Sequence, residues 1–299
     1  MSEKKAPFRS GFVSIVGRPN VGKSSLLNRL VGEKVAIVSP KPQTTRNQII
    51  GILSGDDFQA VFVDTPGIHA PRTKLGEWMD HSVKESLKAI DALIVIADAS
   101  RTDPHERETI RSLGKAGIPR FLALNKVDIV HPQQLRPIIQ QYSDDGFDAI
   151  LPISAKTGEG VEKLLEMLKS RLPEGPRYYP EGQWTAQTER EIIAELIREQ
   201  ALYALQEEVP HGIGVEVLSM KELSAEMTEI FADIVCERDS HKGIIIGKQG
   251  AMLGRIGKKA REEIERLLNT RVNLKLWVKV KPGWRDSPRE LRNLGYGEE

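Results

Sequence analysis

The segment Gly17-Arg18-Pro19-Asn20-Val21-Gly22-Lys23-Ser24 has the residue types and spacing of a loop that binds phosphate. Its glycines allow successive backbone N–H groups to turn toward an anion, and the start of a following helix favours negative charge. In such loops the lysine contacts the β- and γ-phosphates, and the hydroxyl ligates Mg²⁺. Apolar residues before the loop predict a strand, and residues 25–30 after it predict a helix. We expect nucleotide contacts from Gly17, Asn20, Val21, Gly22, Lys23, Ser24 and Ser25.

The motif Asn125-Lys126-Val127-Asp128 indicates which base is bound. It follows the apolar run 121–124, which places it at the carboxyl end of a sheet, where doubly wound folds bind ligands. The Asp128 carboxylate can accept from guanine N1–H and from its exocyclic amine, whereas adenine offers neither donor there. A buried carboxylate left unpaired costs several kcal/mol, so the pocket should reject ATP. The segment Ser154-Ala155-Lys156 is predicted to close the pocket through a backbone N–H to guanine O6.

Two further segments complete the predicted nucleotide site. Asp64 ends the apolar run 60–63 and is placed to hold Mg²⁺ through water, while the Gly67 amide faces the γ-phosphate. In the loop Gln43-Thr44-Thr45-Arg46, the Thr45 hydroxyl would complete the Mg²⁺ shell only when the γ-phosphate is present; an ordinary polar loop residue is the alternative. The predicted metal ligands are Ser24, Thr45 and Asp64, and the predicted catalytic residues are Asn20, Lys23, Thr45, Asp64 and Gly67.

These motifs alternate with predicted strands and helices. Strands are expected near residues 48–53, 58–63, 91–97, 119–124 and 149–153, with helices between most of them and a last helix at 161–172. The pattern predicts a doubly wound α/β domain over residues 1–173. A segment rich in proline and glycine follows, and residues 174–187 are predicted to form a linker.

Residues 188–299 predict a smaller α+β domain with the order α-β-β-α-α-β. Gly247-Lys248-Gln249-Gly250 stands between its middle helices, and residues 272–280 alternate as a strand with one apolar face. Glycines let a backbone approach phosphates closely, the lysine adds charge, and an adjacent apolar groove can take unstacked bases. For Trp284, stacking on a base and packing of the tail onto the sheet remain equally open. The predicted RNA contacts are Lys242, Gly247, Lys248, Gln249, Gly250, Trp284 and Arg285.

Composition limits the class of protein and suggests a polyanion partner. The chain has 299 residues and a net charge of +1, but residues 241–299 carry 14 Lys and Arg against 7 Asp and Glu, a balance of +7, which leaves −6 for residues 1–240. The single Cys236 excludes an internal disulfide and is expected to be a buried, inert thiol. The N-terminus lacks the apolar core of a signal peptide, and no apolar run has membrane-spanning length, which predicts a cytoplasmic protein.

The order and spacing of the five nucleotide elements resemble translation-factor-class GTPases. The strings GRPNVGKSSLLN, TTR and DTPGI are similar to the Era/EngA/TrmE group. Ile68 occupies the position where Ras-like enzymes carry a water-orienting glutamine, so slow hydrolysis, on the order of 10⁻⁴ to 10⁻² s⁻¹, is expected unless water is positioned from elsewhere. We treat the neighbouring His69 as a solvated loop residue. The resemblance implies that Asn20 helps to hold K⁺ against the phosphates; a loop asparagine that tolerates left-handed backbone angles is the alternative.

The second domain resembles a type II KH domain, and the whole arrangement resembles the Era family from about residue 9 to residue 292. EngA proteins would carry two GTPase domains and a KH-like domain lacking the RNA-binding loop, and TrmE proteins order their domains differently. The resemblance implies binding of GTP and GDP and of the single-stranded 3′ end of 16S rRNA, during assembly of the small (30S) ribosomal subunit. It also implies peripheral contact with the inner face of the membrane, and we expect no DNA partner.

Two rival hypotheses come from other functional classes. A constitutive RNA chaperone would use the nucleotide domain only as a support, but such a protein has no physical need for intact Lys23, Ser24, Asp64 and Asp128. An NTP-dependent enzyme acting on a small molecule would need an acceptor-substrate site, which the sequence does not indicate. A GTP-hydrolysing switch that binds RNA is therefore the leading prediction.

Overall fold

The computed structural model describes residues 7–41, 43–67, 73–101, 107–108, 110–111 and 117–296. Its contacts divide the chain into two compact units. The first unit comprises residues 1–36, 47–69 and 80–186, and the second unit comprises residues 37–46, 70–79 and 187–299. The sequence predicted two continuous domains, whereas two short internal segments here group with the second unit. Ile68 and His69 lie outside the described residues.

The first unit contains a six-stranded sheet of order β2-β3-β1-β4-β5-β6, in which β2 is antiparallel to β3 and the other pairs are parallel. The strands are β1 (Arg9–Val16), β2 (Ile49–Ser54), β3 (Phe58–Asp64), β4 (Ala92–Asp98), β5 (Arg120–Asn125) and β6 (Ala149–Pro152). Among the described residues, the helices of this part of the chain include α1 (Lys23–Val31), α2 (Lys74–Glu85), α3 (Pro132–Gln141) and α4 (Val161–Arg171).

The central strands β3 and β4 are buried along their whole length and mostly apolar, as expected for a sheet that is covered on both faces. Separate clusters of buried apolar side chains include Ile94 and Val95, which alternate along β4. The strand order reverses beside β1, which has β3 on one side and β4 on the other. This is the doubly wound fold that the sequence predicted. In such folds ligands bind at the carboxyl ends of the strands, which here are the ends of β1, β3, β4 and β5.

Most of the segment that was predicted to be a linker lies along the first unit. Ser10 N–H donates to Pro173 O at 3.0 Å, and Gln59 Oε1 accepts from Tyr178 N–H at 2.7 Å. Farther along, the Thr185 hydroxyl donates to Ile50 O at 2.6 Å. These contacts lie on both sides of the sheet's β2–β3 hairpin, so residues 173–186 extend the first unit rather than hang free of it.

The second unit follows the predicted order of helices and strands. Its elements are α5 (Glu189–Ala204), β7 (Gly214–Ser224), β8 (Met227–Cys236), α6 (Asp239–Ile246), α7 (Ala251–Leu268), β9 (Arg271–Val280) and α8 (Pro288–Asn293). β8 is antiparallel to β7 and parallel to β9. Thr188 and Glu191 form a capping box that starts α5. Cys236 is buried, as predicted, and burial raises the pKa of its thiol.

Among the described residues, no helix has the length and apolar character that crossing a membrane requires.

Candidate functional site

The phosphate-binding loop joins the end of β1 to the start of α1, and packing fixes its shape. A Cβ atom on Gly17 would lie 2.4 Å from Ile96 O, and one on Gly22 would lie 2.2 Å from Asn125 Nδ2. Gly22 also has a φ of 106°, and Asn20 has a φ of 64°, a left-handed value that asparagine tolerates. The neighbouring residues therefore leave no room for a side chain at Gly17 or Gly22, and the backbone of the loop depends on these two glycines.

Lys23 is buried at the first turn of α1. Its ammonium group donates to Gly17 O at 3.1 Å and to Arg18 O at 3.0 Å. Burial lowers the pKa of Lys23 to about 8, and the nearby Asp64 carboxylate opposes this shift. A buried cation beside a helix start favours an anionic ligand, because the ligand's charge offsets the loss of water.

The predicted metal residues of the first unit lie together. The Ser24 hydroxyl donates to Asp64 Oδ2 at 2.6 Å, and Asp64 itself is fully buried at the end of β3. A hydroxyl and a carboxylate side by side are the oxygen donors that Mg²⁺ prefers, and they fit that ion. Gly67 packs on the phosphate-binding loop, since a Cβ there would lie 2.8 Å from Pro19 N. Thr45 belongs to the second unit, so its part in the metal shell stays a prediction.

Asn125 ties the phosphate-binding loop to the loop that follows β6. Its Nδ2 donates to Val21 O at 2.7 Å, and its Oδ1 accepts from Ala155 N–H at 2.9 Å. The next residue, Lys126, has a φ of 70° and places its ammonium 2.7 Å from Asp98 Oδ2. Burial would raise the pKa of Asp98, but hydrogen bonds from Lys126 and Ser100 lower it overall. Asn125 and Lys126 thus hold neighbouring loops in place.

The base-recognition loops of the first unit also contact each other directly. Ser154 Oγ donates to Asp128 Oδ1 at 2.7 Å, which brings the two predicted segments together. Arg29 on α1 also holds the segment Ser154-Ala155-Lys156. Its Nη2 donates to Lys156 O at 2.6 Å, and its Nε donates to Ala155 O at 3.3 Å. This role of Arg29 was not predicted from the sequence, because no motif marks a basic residue at that point of the helix.

The predicted RNA loop joins α6 to α7 in the second unit. Gly247 has a φ of 72°, and a Cβ there would lie 2.6 Å from Met252 Cβ and 2.9 Å from Met252 N. Gly250 has a φ of 80°. Lys248 and Gln249, between the two glycines, are exposed. The loop therefore presents polar side chains between two glycines with positive φ, and at Gly247 the close approach of Met252 also excludes a Cβ atom.

A groove of about 490 Å³ lies between α7 and β9, beside this loop. Leu253, Val272, Leu274 and Leu276 contribute apolar side chains to its lining, and Lys258 and Arg261 contribute two cations. The helix contributes Gly254 and Gly257, whose missing side chains widen it. The lining residues are Gly250, Leu253, Gly254, Gly257, Lys258, Arg261, Val272, Asn273, Leu274 and Leu276. The sequence did signal this groove, because glycines at 250, 254 and 257 lie in or beside a helix, where glycine is unfavourable.

The other predicted RNA residues have different outcomes. Trp284 is fully buried, and its Nε1–H donates to Gly212 O at 3.0 Å. Stacking of Trp284 on a base is therefore the wrong alternative, and packing of the tail is the right one. Arg285 forms an ion pair with Glu237 at 2.5 Å. Lys242 is partly exposed on α6.

Comparisons with family models assign both halves of the chain. Residues 12–126 match the model described as "50S ribosome-binding GTPase", and residues 208–285 match the model described as "KH domain". The first match covers the phosphate-binding loop and ends at Lys126, inside the motif Asn125–Asp128, and the second covers the Gly-x-x-Gly loop.

Curated relatives and solved structures match over nearly the whole chain. GTPase Era of Clostridium acetobutylicum is 52% identical over 97% of this chain and 98% of its own length, and that of Clostridium botulinum is 49% identical over 97% and 99%. Era in complex with MgGDPNP and nucleotides 1506–1542 of 16S ribosomal RNA has a TM-score of 0.93 and 38% identity, with 97% of this chain and 100% of that chain covered. A variant of Aquifex aeolicus Era bound to GDP·AlF₄⁻ has the same TM-score, identity and coverage.

Proposed function

The chain belongs to the Era family of GTPases, and from that membership we propose that it is a GTP-hydrolysing switch that binds single-stranded RNA. Its RNA target is the 3′ end of 16S rRNA, bound during assembly of the small (30S) ribosomal subunit. One observation carries the proposal: this chain matches a relative solved with both MgGDPNP and that rRNA segment, and 97% of the chain is covered.

In the proposed nucleotide site, the backbone of the phosphate-binding loop and Lys23 hold the phosphates. Asp128 and the loop containing Ser154 recognise guanine. The hydrogen bond between Ser154 and Asp128 supports this role, because it orients the carboxylate before the base arrives. Asn125 links the base loop to the phosphate loop, so the two halves of the nucleotide are bound by one connected structure.

Mg²⁺ would be held by Ser24 and Asp64, with Thr45 joining when the γ-phosphate is present. The ion would neutralise charge that develops on the phosphate oxygens. The short contact between the Ser24 hydroxyl and the Asp64 carboxylate supports this assignment. Slow unassisted turnover is also part of the proposal, because Ile68 offers no hydrogen bond to a water molecule.

K⁺ is the second proposed ion, held against the phosphates by Asn20. The left-handed backbone of Asn20 is compatible with this role and with that of an ordinary loop asparagine. We expect faster GTP turnover in KCl than in NaCl at equal ionic strength, measured as phosphate release. Equal rates in the two salts would leave Asn20 a structural loop residue.

In the proposed RNA site, the backbone at Gly247 and Gly250 approaches phosphates, and Lys248 and Gln249 contact the strand. The groove beside the loop takes unstacked bases against its apolar side chains, with Lys258 and Arg261 facing the sugar-phosphate backbone. Lys242 and Arg285 add positive charge. A cytoplasmic location with peripheral membrane contact completes the proposal and is carried by the family resemblance alone.

A titration with three ligands tests this function. Binding of GTP, ATP and an oligoribonucleotide of the 16S 3′ end is measured by fluorescence, with an oligodeoxyribonucleotide of the same sequence as control. We expect GTP to bind far more tightly than ATP, and RNA to bind more tightly than DNA. A protein that bound RNA but failed to bind GTP would favour a constitutive RNA chaperone, and ATP binding equal to that of GTP would refute the base-pocket assignment.

A further inference from the structure

The loop between α1 and β2 contains a buried arginine whose surroundings belong to the second unit. Arg46 is only 2% exposed. Its Nη1 donates to Ile213 O at 2.6 Å and its Nη2 to His211 O at 3.1 Å. The guanidinium also lies 5.7 Å from the centre of the Trp284 ring and 5.8 Å from that of Tyr296. Arg46 thus occupies a pocket made of two carbonyls and two aromatic rings.

This pocket suits a planar cation and little else. Burial lowers the pKa of Arg46, while the Tyr296 hydroxyl favours the charged form. A guanidinium can donate in two directions and lie against aromatic rings at once, whereas an ammonium group on the same stem cannot. An aliphatic side chain at this position would remove the donor to both carbonyls, which is costly where they are shielded from water. The pocket therefore holds the loop through arginine in particular.

Neighbouring residues of the loop are held as well. Arg198 on α5 is fully buried, donates to Thr44 O and pairs with Glu195. The next residue of the helix, Glu199, accepts through Oε1 from Val38 N–H at 2.9 Å. The second unit therefore fixes the backbone on both sides of Thr45.

We propose that Arg46 is a latch: it docks the first switch loop, residues 37–46, on the KH domain in competition with the arrangement in which Thr45 ligates Mg²⁺ beside the γ-phosphate. This inference rests on the proposed function, which supplies the second arrangement. Because both neighbours of Thr45 are anchored to the second unit, this residue cannot move away from that unit unless the latch opens. GTP favours the undocked loop, whereas GDP has no γ-phosphate and leaves it docked, so the KH domain and the nucleotide compete for one segment.

The latch predicts a change in nucleotide preference when Arg46 is removed. Affinities of the parent and of Arg46→Ala for GDPNP and GDP are measured by titration. We expect GDPNP affinity to rise about 5-fold or more, since the docked state no longer competes, with GDP affinity unchanged within about twofold. Arg289→Ala is the matched control, because Arg289 is an exposed arginine of the same domain, and it should leave both affinities alone.

A ratio of GDPNP to GDP affinity that stays constant or falls in folded Arg46→Ala would overturn the latch. If the parent binds neither guanine nucleotide, the proposed function itself fails, so the two failures are distinguishable. Arg46→Lys keeps the charge and should shift the ratio in the same direction by less.

If both variants unfold, hydrogen exchange of the Val38 amide in the parent protein tests the same claim. This amide should exchange faster with GDPNP bound than with GDP bound, because its contact with Glu199 opens with the latch. Equal protection in the two states would also overturn the proposal.

Discussion

The proposed nucleotide site and the proposed RNA site differ in how their side chains are held. In the nucleotide site, the recognition residues bond to one another: Asn125 joins two loops, Ser154 orients Asp128, and Lys23 folds back on the phosphate loop. In the RNA site, the glycine-bounded loop and the neighbouring groove present exposed groups, and Lys248 and Gln249 point to solvent.

The difference between bonded and exposed recognition residues indicates how specific each site can be. An interlocked site fixes the position of each donor and acceptor in advance, so it can discriminate between ligands that differ by one group. An open groove with a few cations relies on backbone charge and base stacking, which tolerate sequence variation. We therefore expect large effects of single substitutions in the first site and smaller, roughly additive effects in the second.

Lys23→Ala should have the largest effect. It removes a buried cation at the centre of the interlocked site, and we expect GTP turnover to fall by about 10²- to 10³-fold or more. RNA affinity with no nucleotide present should be unchanged, since the open site is built from other residues. Phosphate release and RNA titration measure the two quantities. Turnover within a few-fold of the parent would show that the loop does not bind the reacting phosphates.

Asp128→Asn should shift the preferred nucleotide base from guanine toward xanthine. The carboxylate is the proposed acceptor for two guanine donors, so its loss should weaken GTP binding by about 10²-fold. An amide can donate to the C2 carbonyl of xanthine, so affinity for xanthosine triphosphate should rise. Competition between the two nucleotides on parent and variant gives the ratio directly. An unchanged preference for GTP would contradict the pocket assignment.

Gly247→Asp should weaken RNA binding by about 10-fold or more and leave GTP turnover intact. A side chain here meets Met252 and forces a φ of 72° on a non-glycine residue, and the carboxylate repels phosphate. Gly243→Asp is the control, because it adds the same charge on α6 where a Cβ would meet no atom within 4 Å. If both variants lose RNA equally, long-range charge rather than loop geometry explains the effect.

The sequence predicted the interlocked site more completely than the open one, for a physical reason. The phosphate loop needs particular residues at fixed spacing between a strand and a helix, and local periodicity locates both elements. The burial of Trp284 depends on a contact with a residue 72 positions away, and the pocket around Arg46 depends on contacts 165 and 167 positions away. No local pattern encodes contacts of this kind. The same limit hid Arg29, whose partners lie in a distant loop, and the assignment of residues 37–46 to the second unit.

The smallest expected effect tests whether the cations of the RNA groove act independently of one another. Lys258 lines the groove, and if it contacts one RNA phosphate, its removal should reduce the dependence of RNA affinity on salt. For single strands, the slope of log K against log salt changes by about 0.7 for each phosphate contact. Lys258→Ala should therefore lower this slope by about 0.7, and adding Arg261→Ala should lower it by about as much again. Lys221→Ala, at an exposed lysine of the same domain, is the control and should leave the slope unchanged.

A loss in the double variant much larger than the sum of the two single losses would mean that these cations act as a connected unit. In that case the RNA site would resemble the nucleotide site in its design, and the contrast between the two regions would not hold.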